Sequence, residues 1–324
     1  MINKVKLSLI VVTYNSEETI KECLNAIIDQ IGPEDKILVF DNGSSDSTPI
    51  ILKEYQSKVS LYLSPNNFGF SYACNWCANK SDSTNYLAFV NPDAVLNLGL
   101  IDRARETFAN GSVGLVGFEC IDKNGLHDKN FRRFPSVLSG ILTLIDHIFL
   151  RLNLTKKLNF NLSKHYLDGS CMFIERDIFK DVGQFEDLFL YGEDVILCNS
   201  LRQKKIKAVY HPDISYLHLR GSSSSLISGE RGWSMLPNMI YSELFYLRDL
   251  SFLSKVFYLM LKIIESIALI FFSTIFFHRN AEKKLFYRKR LILLLEYSLT
   301  FLWQGKSFIK TEFHLTHTEY KAHI

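Results

Sequence analysis

The chain has almost no excess charge: 37 Lys and Arg against 34 Asp and Glu leave +3 over 324 residues. It therefore lacks the global basic field that holds nucleic acid, and no nucleic-acid partner is expected. Any basic function must be local. Six cysteines (Cys23, Cys74, Cys77, Cys120, Cys171 and Cys198) are scattered through a long sequence, which argues against a disulfide scaffold. Cys74 and Cys77 spell C-x-x-C, but no second pair completes a zinc site. That spacing equally sets two small apolar side chains on one helix face. Residues 1–6 have neither the apolar stretch nor the small-residue cleavage site of a signal peptide, so a cytoplasmic, reduced protein is expected. A G-x-x-x-x-G-K loop is missing, which disfavours P-loop chemistry. No G-x-G-x-x-G follows the first apolar run, which disfavours a Rossmann dehydrogenase. There is no internal repeat.

What is present is a core and an alternation. Hydrophobic residues make up 47% of the chain, ample for one large domain or two smaller ones. Residues 5–13 form a β-branched apolar run suited to a strand buried on both faces. Ser16 then precedes a helical pattern of Ile20, Leu24, Ile27, Ile28 and Ile31. Strands at 37–41, 59–63 and 86–91 alternate with helices at 47–57 and 70–80, the pattern of a parallel sheet with crossover helices. Further on, the sequence predicts a helix at 98–109, a strand at 113–118 and a hairpin turn at Asn124-Gly125. A helix at 136–152 and a strand at 166–174 carrying Asp168, Gly169 and Ser170 come next. A helix from Glu193 to Gln203 has its acids in the first turn, where the helix dipole favours them. A strand follows at 207–210.

The last third changes character, and a boundary is expected near residue 230, with 1–230 catalytic and 231–324 helical. Residues 251–277 are rich in Leu, Ile and Phe, interrupted by Lys262 and Glu265. The uninterrupted apolar run at 266–277 is too short to cross about 30 Å of hydrocarbon as a helix. A basic cluster follows (Arg279, Lys283, Lys284, Arg288, Lys289, Arg290), then a second apolar run at 291–303. Apolar stretches flanking cations suggest helices lying on an anionic membrane surface. The competing reading is a helical pair packed on the catalytic domain.

Carboxylates recur where strands end. Asp41 closes 37–40, Asp93 closes 86–92, Glu193-Asp194 follows an aromatic stretch, and His218 comes later. Open α/β sheets bind ligands beyond the carboxyl ends of their strands. A carboxylate at Asp41 can accept the imide N–H of a uracil or thymine ring. Gly43, Ser44 and Ser45 let the chain turn and offer short donors, although an ordinary Asx turn would look the same.

Six short motifs occur in order: T-Y-N at 13–15, D-N-G-S-S-D at 41–46, N-x-G-F at 67–70, N-P-D-A at 91–94, G-E-D-V at 192–195 and H-x-x-G-x-S at 218–223. Over roughly residues 5–225 the chain resembles the family 2 inverting glycosyltransferases of GT-A fold, most closely their rhamnosyltransferase-like branch, which builds bacterial cell-surface polysaccharides. The resemblance implies an α/β nucleotide-diphospho-sugar transferase fold, a Rossmann-like, mostly parallel sheet with a C-terminal helical extension. It also implies transfer of a sugar from dTDP-rhamnose or a UDP-sugar to an acceptor hydroxyl, with inversion. The acceptor would be a lipid-linked glycan, reached by a protein peripheral on the inner membrane face.

The same resemblance distributes roles. Thr13, Tyr14, Asn15, Asp41, Asn42, Gly43, Ser44, Asn67, Gly69, Asn75, Asn91 and Asp93 would line the nucleotide-sugar site. Asp93 occupies the family's Asp-x-Asp position, with Asn91 replacing the first acid. It would hold Mg²⁺ or Mn²⁺ through one carboxylate plus phosphates and waters. His218 would complete the metal shell; a buried, hydrogen-bonded His is the alternative. Asp194 would be the general base that takes the acceptor proton. Glu193 would orient the acceptor, with Tyr191, Gly169 and Ser170 beside it. For Phe189 and Tyr191, packing competes with sugar stacking; Phe68 and Phe70 lie in the segment beside the donor, with core packing the alternative and the favoured reading for Phe70. Arg132 and Arg133 read either as contacts to an acceptor phosphate or as surface charges. Two rival functions are a non-catalytic nucleotide-sugar-binding scaffold and a nucleotidyltransferase.

Overall fold

The computed structural model describes residues 5–81, 83–128, 130–136, 160–219, 230–248, 250–276 and 281–304. The expected helix at 136–152 falls almost wholly outside them, as do Gly221 and Ser223. Chain contacts define two compact units. One comprises Met1–Arg132, Phe160–Phe189 and Glu193–Ser224; the other comprises Arg133–Asn159, Leu190–Gly192 and Ser225–Ile324.

The first unit begins with β1 (Leu7–Thr13), buried along its whole length because its β-branched side chains meet helices on both faces. Helix α1 (Ile20–Ile28) starts four residues after Ser16, whose carbonyl instead receives the N–H groups of Thr19 and Ile20 in a preceding turn. Then come β2 (Lys36–Asp41), α2 (Thr48–Glu54), β3 (Ser60–Leu63), α3 (Phe70–Asn79) and β4 (Tyr86–Val90). The pairs β1–β2, β2–β3 and β1–β4 are all parallel. The register sets Thr13 beside Asp41 and Val11 beside Val90, so these strands end together.

Beyond β4 the sheet becomes mixed. Its elements are β5 (Ala94–Leu96), α4 (Leu100–Ala109), β6 (Leu115–Ile121), β7 (His127–Asp128), β8 (Phe131–Arg133), β9 (His165–Leu167), β10 (Cys171–Glu175), α5 (Arg176–Asp181), α6 (Glu193–Gln203) and β11 (Ala208–His218). Among the described residues the large sheet runs β3-β2-β1-β4-β10-β6-β11-β5, with β7 on β6, while β8 and β9 form a ribbon of their own. The turn at Asn124-Gly125 does join an antiparallel pair, β6 and β7.

Two expectations are corrected here. The strand predicted at 166–174 is two strands belonging to different sheets. Asp168, Gly169 and Ser170 form a turn between them, because Asp168 Oδ1 accepts the Ser170 N–H at 3.0 Å. The short strand at 207–210 is the first part of β11, which runs on to His218. Pro212 lies where the β11 register slips against β6, between His211 and Ser215, a place where its missing N–H costs no ladder bond.

The second unit contains α7 (Glu230–Leu247), α8 (Phe252–Phe276) and α9 (Ala281–Gln304). Helices α8 and α9 run antiparallel, since Arg290 meets Glu265 while Lys255 lies over the Phe301 ring. Among the described residues, no helix is long and apolar enough to cross a membrane. All six cysteines are buried and free, with Cys74 and Cys77 in the inner face of α3.

Candidate active site

The Asp41 turn is held by its own side chains. Asp41 is buried and accepts three bonds: Thr13 Oγ1 at 2.8 Å, Ser44 Oγ at 2.5 Å and Ser44 N–H at 3.0 Å. Asn15, at φ 49°, donates its N–H to Ser44 Oγ and accepts the Ser45 N–H. Tyr14 stands half-buried beside it. Gly43 has φ 76°, and a Cβ there would come within 2.9 Å of the Asn66 backbone, so only glycine fits.

Asn42 reaches the neighbouring loop rather than the strand end. Its amide donates to the Gly69 carbonyl at 3.0 Å and accepts the Phe68 N–H at 2.8 Å. Asn67 Oδ1 takes the Gly69 N–H, closing an Asx turn ahead of α3. Asn75 is occupied at both ends of its amide by the backbone of Phe185. Asn42 and Asn75 therefore act as braces in this structure. The Phe70 ring lies 6.0 Å from Phe185, and the Phe68 ring 4.9 Å from Tyr72.

Asp93 and His218 meet because β11 runs antiparallel to β5, which sets His218 opposite Ala94. His218 Nε2 lies 3.1 Å from Asp93 Oδ1, and both side chains are buried. Burial pulls the imidazole down. The hydrogen bonds to Asp93 and Cys120 and the charges of Asp93 and Asp168 outweigh it, leaving His218 raised to about 9. With phosphate oxygens and water supplying the rest, Mg²⁺ would use the Asp93 oxygen and not the imidazole, while a softer ion such as Mn²⁺ accepts the nitrogen more readily. Among the described residues, no group of three or more His, Cys, Asp or Glu could hold an ion by itself.

The turn at 168–170 links this pair to the acids of α6. Ser170 accepts the Asn91 N–H at 2.9 Å through its carbonyl, and its hydroxyl lies 2.6 Å from Tyr216 Oη. Gly169 donates to Asp194 Oδ2 at 3.4 Å, while Val195 N–H donates to Oδ1 at 2.7 Å. Asp194 is half-buried; Glu193 is buried, with Oε2 lacking any hydrogen-bond partner among the described residues. Both acids sit above the ordinary carboxylate range. Burial is the main cause for each; Asp168 adds to it for Asp194, and Asp194 adds to it for Glu193. The Arg132 charge pulls Asp194 partly back. Just before α6, Tyr191 and Gly192 both take positive φ, 68° and 92°. For tyrosine that conformation is strained, and such strain gathers at functional loops.

Asp168 is the residue that sequence reasoning passed over. Its field reaches Asp194, Glu193, His218 and Tyr216. Read as mid-strand it had no reason to be central; the available signal was the Asp-Gly-Ser turn composition.

The profile of glycosyl transferase family 2 matches residues 8–183, and the chain belongs to that family. It is 29% identical over 196 residues to glycosyltransferase AglE of Haloferax volcanii, a match covering 58% of this chain and 59% of the relative. It is 25% identical over 237 residues to the N-acetylglucosaminyl-diphospho-decaprenol L-rhamnosyltransferase of Mycobacterium tuberculosis, covering 67% and 77%. The fold is GT-A. Staphylococcus aureus TarS 1–349 in complex with UDP-GlcNAc superimposes with TM-score 0.57 at 16% identity, covering 98% of this chain and 92% of that one. GalNAc-T7 with UDP, GalNAc and Mn²⁺ superimposes with TM-score 0.54 at 15% identity, covering 92% and 58%.

Proposed function

We propose that this protein is an inverting glycosyltransferase that moves one sugar from a nucleoside-diphosphate donor to an acceptor hydroxyl. One observation carries the reading. Strand register sets Asp41 beside Thr13 and the end of β1 beside the end of β4, and the Asp93–His218 pair that follows β4 is joined to Asp194 through Asn91, Ser170 and Gly169. In open α/β folds the carboxyl ends of the strands are where ligands bind.

In this reading the Asp41 turn receives the pyrimidine base, and the loop at Asn67–Gly69 lies against the donor. Asp93 would hold Mg²⁺ or Mn²⁺, with His218 a further ligand for Mn²⁺; a bound cation there neutralises charge on the departing diphosphate. Asp194, half-buried and reachable, takes the proton of the incoming hydroxyl. Such a base contributes roughly 10²- to 10⁴-fold. Glu193 is buried at the start of α6, where it feels the charge of Asp194 rather than touching the acceptor. Donor choice leans toward dTDP-rhamnose, since two rhamnosyltransferases are among the relatives, with UDP-sugars next. The acceptor is a lipid-linked glycan, and the helical unit holds the enzyme at the membrane that carries it.

The test is transfer itself. Asp194→Asn should abolish release of nucleoside diphosphate in the presence of acceptor while donor still raises the melting temperature. Donor binding without transfer by the unaltered protein would point to a scaffold. Release of pyrophosphate from a nucleoside triphosphate would point to a nucleotidyltransferase.

A further inference from the structure

Helix α8 carries its apolar side outward and its charges inward. Leu253, Phe257, Met260, Ile264, Ile267 and Phe271 recur every three or four residues along α8, and each is half or more exposed. At 3.6 residues per turn they centre one side of the helix. The flanks of that stripe are apolar too, with Val256 and Ile263 on one edge and Leu261 and Ala268 on the other. This apolar half of the circumference holds no charged residue. Every charge of α8 is on the opposite side. Lys262 Nζ lies 3.2 Å from Glu243 of α7 and 3.1 Å from Glu265; Arg290 of α9 reaches Glu265 at 3.5 Å, and Tyr258 donates to Glu243. Lys255, the remaining cation, donates to the Arg248 carbonyl. Ser266 and Ser298 are buried in the same interior.

A helical unit surrounded by water places its charges outward and its apolar stripe inward. Here two acids and two bases neutralise one another inside, and the outward surface of α8 is greasy. A second protein helix is a poor match for such a face. A helix–helix seam is a narrow stripe, bordered by charged residues that select the partner, and these borders are aliphatic. A medium that is apolar across the full half-cylinder matches it.

We propose that α8 lies in the plane of a lipid bilayer with this half sunk into the acyl boundary. The outer face of α9, which mixes Leu285, Ile292, Leu295 and Leu299 with exposed Arg288, Lys289 and Glu296, lies at headgroup level. The inference rests on the membrane recruitment proposed above and deepens it. Attachment is by insertion, and the cations add to it without being its basis.

The experiment is flotation of the full-length protein with vesicles of phosphatidylcholine alone and of phosphatidylcholine with a quarter phosphatidylglycerol, in low salt and in about 1 M NaCl, where surface charge is screened within about 3 Å. The expected result is binding to both, with the anionic advantage lost at high salt and the neutral-vesicle binding retained. Ile264→Glu should lower partitioning about tenfold or more, as expected when one large side chain is withdrawn from lipid. It should leave donor-induced thermal stabilisation intact. Phe257→Trp keeps the face apolar, and its added indole emission should shift blue and be quenched by brominated acyl chains. Binding only to anionic vesicles at low salt would overturn insertion and leave surface recruitment standing. An unquenched indole on bound protein would also overturn insertion. Binding to no vesicle would overturn both readings. A lipid-independent dimer broken by Ile264→Glu, with no vesicle binding, would make the face a subunit contact and overturn the proposal.

Discussion

His218 Nε2 sits 3.1 Å from Asp93 Oδ1 although 125 residues separate them, and each side chain is almost wholly out of solvent. The acid and the base are held by neighbouring antiparallel strands, so the pair is a product of register. In this setting the imidazole is raised to about 9 and carries a proton at neutral pH.

A cation can use His218 only as the neutral imidazole, so binding must expel that proton. Affinity for Mn²⁺ in the presence of nucleoside diphosphate should therefore rise with pH toward about 9. Calorimetry in two buffers of different ionisation heat should show close to one proton released, and His218→Asn should remove it. Identical heats in the two buffers would show that the cation displaces no proton from His218.

As the base proposed above, Asp194 would have to be ionised to accept a proton, and burial and the Asp168 charge both raise it. The acid limb of the transfer rate should accordingly lie above the ordinary carboxylate range. Asp168→Asn removes one of the two causes and should move that limb to lower pH. A merely structural role for Asp168 would lower the rate at all pH values and leave the limb in place.

Glu193 binds its proton more tightly in the folded chain than in the unfolded one, chiefly because it is buried. The linkage sign follows: this contribution is complete below the unfolded value, and stability is lost as pH rises through the raised folded value. Glu193→Gln removes the cost of ionisation. Its melting temperature should exceed that of the parent at about pH 8.5 and match or fall below it at about pH 5. Parallel pH dependence of the two proteins would contradict the assignment.

Gly69 has φ 90°, and a Cβ there would come within 2.5 Å of the Phe189 carbonyl oxygen. The same carbonyl accepts the Phe70 N–H at 2.9 Å, so the contact cannot simply open. Gly69→Ala should destabilise by on the order of 1–3 kcal/mol and weaken donor binding, both readable by thermal shift with and without nucleotide-sugar. Unchanged stability would mean that this loop is not clamped as described.

The parallel half of the fold was legible because its signals are local. The run at 7–13, the strand at Lys36–Asp41 and the helix of Phe70–Asn79 each announce themselves by period and by flanking turns. The mixed half was harder to read. Leu167 and Cys171 are equally buried, so hydrophobic pattern alone joins them into one strand, and only an Asx turn divides it. Asn42 and Asn75 are donor-site candidates from their motifs, but an amide in a motif does not reveal its partner within the fold. The backbone groups they grip, at Gly69 and Phe185, are distant in sequence.

The amino-acid order by itself determined the alternation of strands and helices, the acids at strand ends and the family, since these depend on composition and spacing within a few residues of one another. It also marked the tail as apolar and basic. Tertiary structure alone decided that Asp168 lies among Asp194, Glu193 and His218, that Glu193 is buried while Asp194 is half-buried, and that the charges of α8 turn inward. Those outcomes depend on strand register and helix packing, which bring together groups whose separation along the chain carries no information about their distance in space.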